Sequence, residues 1–187
     1  RGYPKRKGRY VKHCIMIRKM HTDEFDRIFS IMENSFPSDE YRTYEEQKKL
    51  LLNKKYDIYT FIIKERIQGF ISVWKFDNFL YIEHLAVDAD CRNHGAGAKL
   101  LDEMKNLFPG RICLEVELPV TEMAKRRIGF YKRNGFSVND YPYMQPAYSK
   151  EKNPIELRIV SSQGLLSGEE FVDVRDALYR EVYHKYE

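Results

Sequence analysis

The chain has 187 residues, 43% of them apolar and 32% charged, which is enough to bury one core, too short for two large lobes, and unlike a disordered acidic polymer. Its formal charge is +4, but the first twenty residues hold eight Lys/Arg and no acid, so the remaining 167 carry −4 and nucleic acid is disfavoured as a partner of the folded body. Cys14, Cys91 and Cys113 are an odd set that argues for a reducing, cytoplasmic compartment, and no apolar run reaches the roughly 18–20 residues that cross a bilayer, so no membrane partner is expected.

In chain order, residues 1–12 are a basic arm. With no Met at position 1 and Met16 and Met20 downstream, the arm is either a working element or sequence added ahead of the natural start. Residues 13–18 read as a short strand, and Thr22, followed by Asp23 and Glu24, reads as the N-cap of a helix. Phe25, Ile28, Phe29, Met32 and Phe36 share one face of that helix, and Pro37 ends it. Thr43 with Glu46 forms a capping-box pattern opening a second helix, whose apolar side includes Leu50 and Leu51. Residues 57–63, 67–74 and 79–87 are strand-like runs with short polar connections, which predicts an antiparallel meander. A helix over 95–107 buries Leu100, Leu101, Met104 and Leu107, and residues 112–118 form the next strand. An amphipathic stretch over 122–134 ends at Gly135, and 136–138 begin another strand. A loop rich in tyrosine (Tyr141, Tyr143, Tyr148) leads to a last strand over 155–160. Ser167 and Glu170 then cap a C-terminal helix marked by Phe171, Val174, Leu178 and Val182. The fold class is a mixed α/β single domain, divided as the arm (1–12), a catalytic or binding body (13–160) and a helical extension packed on it (161–187).

The segment Cys91-Arg92-Asn93-His94-Gly95-Ala96-Gly97-Ala98 lies between the longest strand and a helix. Glycines at such a junction let backbone N–H groups approach an anion, and the helix N-terminus adds unpaired donors and partial positive charge. Arg92 adds a full charge, which makes a diphosphate the natural guest. A P-loop is excluded because Lys99 is followed by Leu100, and a dinucleotide fingerprint lacks its third glycine at Leu100. Cys91 and His94 are too few for a structural metal site, so no metal is expected.

Arg92, Gly95 and Gly97 match the Arg-x-x-Gly-x-Gly pattern of the GNAT superfamily of acyl-CoA-dependent N-acyltransferases, and the stretch from about residue 62 to 136 resembles that family. Tyr81-Ile82-Glu83-His84-Leu85-Ala86-Val87 resembles its central strand, and Phe130-Tyr131-Lys132-Arg133-Asn134-Gly135-Phe136 its later helix-to-strand motif. The resemblance implies a GNAT-like, mostly antiparallel sheet flanked by helices, with the pantetheine of acetyl-CoA lying between two splayed strands. Leu85, Ala86 and Val87 are then expected to hold that arm, and Arg92, Asn93, His94, Gly95, Ala96, Gly97 and Ala98 to cradle the pyrophosphate.

Transfer to an amine needs a proton acceptor, because an alkyl ammonium has a pKa of about 10.4. Glu83 is the first expectation for that base, with a carboxyl raised by partial burial, and the strand N–H near Leu85 is the expected oxyanion donor. Tyr131 occupies the position where many family members carry a general-acid tyrosine, which would protonate the leaving thiolate. Glu115 and Glu117 alternate on one face of the next strand and are rival bases or attractors of a cationic amine. His84, on the opposite face from Glu83, is read as structural, and Gln145 and Tyr148 as residues that shape specificity. The expected activity is acetyl transfer from acetyl-CoA to a primary amine, a small cationic molecule, in a ternary complex. A non-catalytic acetyl-CoA sensor and a peptide N-acetyltransferase are the alternatives. The C-terminal helix either covers the sheet or contributes to a homodimer contact.

Overall fold

The β-branched and aromatic runs after residue 55 pair with one another in the computed structural model, which describes residues 15–92 and 95–185. Strands β1 (Ile15–Lys19), β2 (Tyr56–Ile63), β3 (Arg66–Lys75) and β4 (Phe79–Val87) form the antiparallel half of an eight-stranded sheet. Strand β5 (Arg111–Glu117) joins β4 in parallel, and β8 (Ile155–Ser162) lies antiparallel to β5. The far edge of β8 carries two short strands in succession, β6 (Phe136–Val138) and β7 (Tyr143–Gln145). The expected fold class, a mostly antiparallel sheet flanked by helices, is the observed one.

Each face of the sheet carries its own apolar core. On one, α1 (Phe25–Ser35) and α5 (Gly168–Ala177) contribute Phe25, Ile28, Met32, Phe171 and Val174, packed with Trp74, Tyr81 and Ile159. On the other, α3 (Ala96–Leu107) and α4 (Glu122–Arg133) contribute Leu100, Leu101, Met104 and Ile128 against Ile71, Val73 and Leu114. Burying one such side chain fully is worth about 1.5–3 kcal/mol, so each helix is held by its stripe rather than by propensity. The chain beyond residue 161 shares the first core through Leu166, Leu178, Val182 and Tyr183.

Local chemistry explains the departures from the sequence-based expectations. Thr22 is not the N-cap: a turn of 3-10 helix begins there, and the His21 N–H donates to Glu24 Oε2 at 2.8 Å. Hydrogen bonds from Arg18 also hold Glu24, pulling its carboxyl down to about 2. The capping box at Thr43 and Glu46 opens α2 (Tyr44–Lys49) as expected. Leu107, expected in the buried stripe, is 47% exposed at the end of α3, while Met104 one turn earlier is fully buried. The tyrosine-rich loop contains β7, a strand of only three residues whose alternation is too brief to read from sequence.

Candidate active site

Hydrogen bonding between the parallel strands β4 and β5 stops at the pair Ile82↔Leu114. Beyond it, residues 83–87 of β4 and 115–117 of β5 diverge around a cleft of about 660 Å³. The register between β3 and β4 slips at the same level, pairing Ser72 with His84 but Val73 with Ile82, which leaves Glu83 as the extra residue of a bulge. The bulge cancels one step of the strand's alternation. His84 therefore lies on the same side as Glu83, not opposite it, against Phe36 of the first core, with Nε2 against the Glu40 carbonyl oxygen at 2.8 Å and Nδ1 against Ser72 Oγ at 3.2 Å. Buried away from water, its ring titrates below the ordinary range.

At one end of the cleft the polar groups are backbone. Leu85, Ala86 and Val87 pair with β3 on one edge and line the cleft on the other. Gly95 has φ +78°, a left-handed turn that glycine adopts without strain, and α3 starts at the next residue. The amides of Ala96, Gly97 and Ala98 lie in the first turn of α3, where N–H groups lack helical partners. Gly97 has a further constraint: a Cβ there would sit 3.1 Å from the ring of Phe130, so this glycine also lets α3 approach α4. Arg92 lines the cleft and donates from Nε to the Val87 carbonyl at 3.0 Å, which leaves its two terminal nitrogens for an anion. Asn93 and His94 lie outside the described residues. This donor set fits a diphosphate ester.

At the other end the polar groups are side chains. The Glu83 side chain is 0% exposed and accepts from Arg42 Nη1 at 2.7 Å, Trp74 Nε1 at 2.9 Å and the Tyr148 hydroxyl at 2.9 Å. Burial alone would raise its carboxyl, but the Arg42 charge and these donors overcome it and hold the group below its ordinary value. The expected raised carboxyl at Glu83 is thus not observed, because a fully paired charge is stabilised rather than stranded. Arg42 is fixed in turn by donating Nη2 to the Val182 carbonyl at 2.8 Å and by lying 4.4 Å from the Tyr148 ring centre.

Glu115 presents the opposite case. It accepts from Tyr143 and from Tyr183, the latter at 2.8 Å to Oε2, and no cation pairs with it among the described residues. Burial pushes its carboxyl up to about 7, with the tyrosine donors pulling against that shift and the Glu83 charge adding to it. Tyr183 also lies 3.1 Å from the Tyr81 hydroxyl, so a row of phenols backs the carboxylate. Glu117 lines the same cleft and pairs with Arg127 at 3.3 Å. Across from it Glu40 also lines the cleft, and burial, with Glu117 nearby, raises its carboxyl.

Tyr131 projects from α4 into the cleft, is 8% exposed, and packs against Phe130 and Phe136. Desolvation raises its phenol to about 12, so it is protonated at neutral pH and able to donate. Arg42, Trp74, Tyr143 and Tyr183 carry no local sequence signal: each reaches Glu83 or Glu115 from a different part of the chain, and only the fold assembles them. No cluster of three His, Cys, Asp or Glu placed to hold a metal occurs among the described residues.

Residues 17–136 match the acetyltransferase (GNAT) family. A solved structure titled "Putative acetyltransferase from GNAT family from Bacteroides thetaiotaomicron" is 30% identical, with a TM-score of 0.83, covering 90% of this chain and 98% of that one. A second, PaiA N-acetyltransferase from Thermoplasma acidophilum in complex with coenzyme A, has the same fold at 15% identity, TM-score 0.61, covering 81% and 99%. Among curated proteins, "Putative acetyltransferase YjbC" of Bacillus subtilis is 33% identical over 105 residues, 54% of this chain, which spans about half the length of that relative.

Proposed function

This chain belongs to the acetyltransferase (GNAT) family, and from that premise we propose that it transfers the acetyl group of acetyl-CoA to a primary amine by direct attack in a ternary complex. The observation that carries the proposal is the cleft itself, lined at one end by Leu85, Ala86, Val87 and Arg92, next to the start of α3, and at the other by Glu115, whose carboxyl burial pushes up to about 7. The open edge of β4 at Leu85, Ala86 and Val87 receives pantetheine as an added strand would. Arg92, Gly95 and the first amides of α3 receive the pyrophosphate, and the relative bound to coenzyme A supports that use of the fold.

Glu115 is the proton acceptor in this reading. A carboxyl near 7 is matched to neutral pH and can take the proton that keeps an alkyl ammonium from attacking. The freed nitrogen forms a bond to the thioester carbon and the carbon–sulfur bond breaks. Tyr131 gives its proton to the departing sulfur and regains one as the amide nitrogen loses its second proton, while the first leaves through Glu115. Glu83, held below the ordinary carboxylate range by Arg42, is a poor base and serves instead as a fixed negative charge that orients Tyr148 and Trp74. Glu40 and Glu117 face the acceptor end and favour a cationic substrate.

The test is release of free thiol from acetyl-CoA against a panel of amines, alongside the thermal shift that acetyl-CoA produces. Turnover that is lost in Glu115→Gln while the thermal shift persists supports the proposal. A shift with no turnover on any amine points to a sensor, and no shift in the wild type overturns the cofactor reading.

A further inference from the structure

One polar side chain at the acceptor end has no use in that scheme. Gln145 is 3% exposed, lines the cleft beside Glu117, Tyr148 and Leu157, and its Nε2 has no hydrogen-bond partner among the described residues. Its position is not loose. Gln145 is the last residue of β7, paired with Ile155 of β8, and alternation places it on the same side as Tyr143, whose hydroxyl reaches Glu115. Among the described residues two further buried side-chain atoms lack hydrogen bonds, Gln47 Oε1 and Asp57 Oδ2, but the other end of the Gln47 amide bonds Tyr56 and Asp57 pairs with Lys19 and Lys75. In the same cleft Glu83 is engaged by three donors, Glu115 by two tyrosines and Tyr148 by Glu83. A buried amide nitrogen with no acceptor is costly to keep unless something polar comes within its reach.

We infer that Gln145 is a specificity-determining residue that hydrogen bonds a neutral oxygen of the acceptor, so that the substrate is an amine carrying a carbonyl or hydroxyl group rather than a bare alkylamine or polyamine. The inference rests on the acetyl-transfer reading of the same cleft. The chemistry divides between two kinds of group. Glu40 and Glu117 receive the ammonium, and an amide, which donates and accepts but carries no charge, receives the oxygen. A site that hydrogen bonds one substrate group rejects analogues lacking it far more strongly than an apolar pocket rejects an extra methylene, because the unmet amide stays buried.

Three amines matched in heavy-atom count test this: pentylamine, 4-aminobutanol and β-alaninamide. The wild type is expected to favour the two oxygen-bearing amines by about tenfold or more in kcat/KM. Gln145→Leu, which replaces the amide with an apolar group of similar size, should collapse that ratio towards one. Gln145→Met serves the same purpose should the leucine variant not fold. Binding of β-alaninamide and pentylamine to the CoA-loaded protein, read by calorimetry, separates the two layers of the argument. A preference in binding that the variant loses, without turnover in either protein, sustains the role of Gln145 and removes the catalytic reading. A wild-type enzyme indifferent to the oxygen, or an unchanged ratio in the variants, overturns the inference and assigns the amide to an ordered water.

Discussion

Glu83 and Glu115 stand on the two strands that flank one cleft, both buried, and they have opposite chemistry. Glu83 faces Arg42 and an indole N–H, and its charge is stabilised; Glu115 faces phenols and no cation, and its charge is disfavoured until about pH 7. Burial acts on both in the same direction, so the difference comes from the partner set. A carboxylate's depth in a cleft therefore does not say whether it is a base. The strand before the glycine loop makes Glu83 the natural first choice from sequence, yet its companions hold it charged, and Glu115, with no cation beside it, is the carboxylate we propose as the base.

The largest expected effect separates the two directly. Glu115→Gln should lower kcat/KM by about 10²–10⁴-fold and remove the rise in rate through pH 7, measured as a pH profile on any accepted amine. An intact rise in that variant would overturn Glu115 as the base. Next in size is the pair on the other strand. Arg42→Met leaves the Glu83 charge buried without its cation and should cost about 3–5 kcal/mol in denaturant unfolding at pH 8, most of it recovered in the double variant Arg42→Met/Glu83→Gln.

The two carboxylates should also bend the stability curve in opposite senses. Glu115 is raised on folding, so its ionisation opposes the folded state, and stability should fall as pH rises from about 4.5 to about 7, by at most about 3 kcal/mol. Glu115→Gln should flatten that decline. Glu83 is lowered on folding, so its contribution is present above the ordinary carboxylate range and disappears only in acid. The smallest effect belongs to Tyr183→Phe, which deletes a donor to the ionised form of Glu115 and should move the acidic limb of kcat/KM upward by about one pH unit. A limb that stays in place would make Tyr183 a packing residue only.

The same contrast explains what the sequence made legible. The end proposed for the cofactor is contiguous: a strand, a turn with Gly95 at positive φ and a helix N-terminus occupy residues 79–107, so pattern and spacing are enough to propose it from sequence. The acceptor end draws Arg42 from the turn before α2, Trp74 from β3, Tyr143 from β7 and Tyr183 from the chain's far end, and nothing in their local context marks them. One local detail also escaped. The bulge at Glu83 has no glycine or other sequence sign, and it reverses which face His84 occupies. The two glycines of the loop were both expected as anion-cradle residues, whereas Gly97 is also required by the approach of Phe130.

The contacts of Val182 and Tyr183 carry a consequence for how this protein fails. The Val182 carbonyl fixes Arg42 and the Tyr183 hydroxyl fixes Glu115, so one short stretch of chain steadies both carboxylates, while the glycine loop and α3 depend on neither. Loss of that stretch would therefore disturb the partners of Glu83 and Glu115 together, while breaking no hydrogen bond at Gly95 or in the first turn of α3.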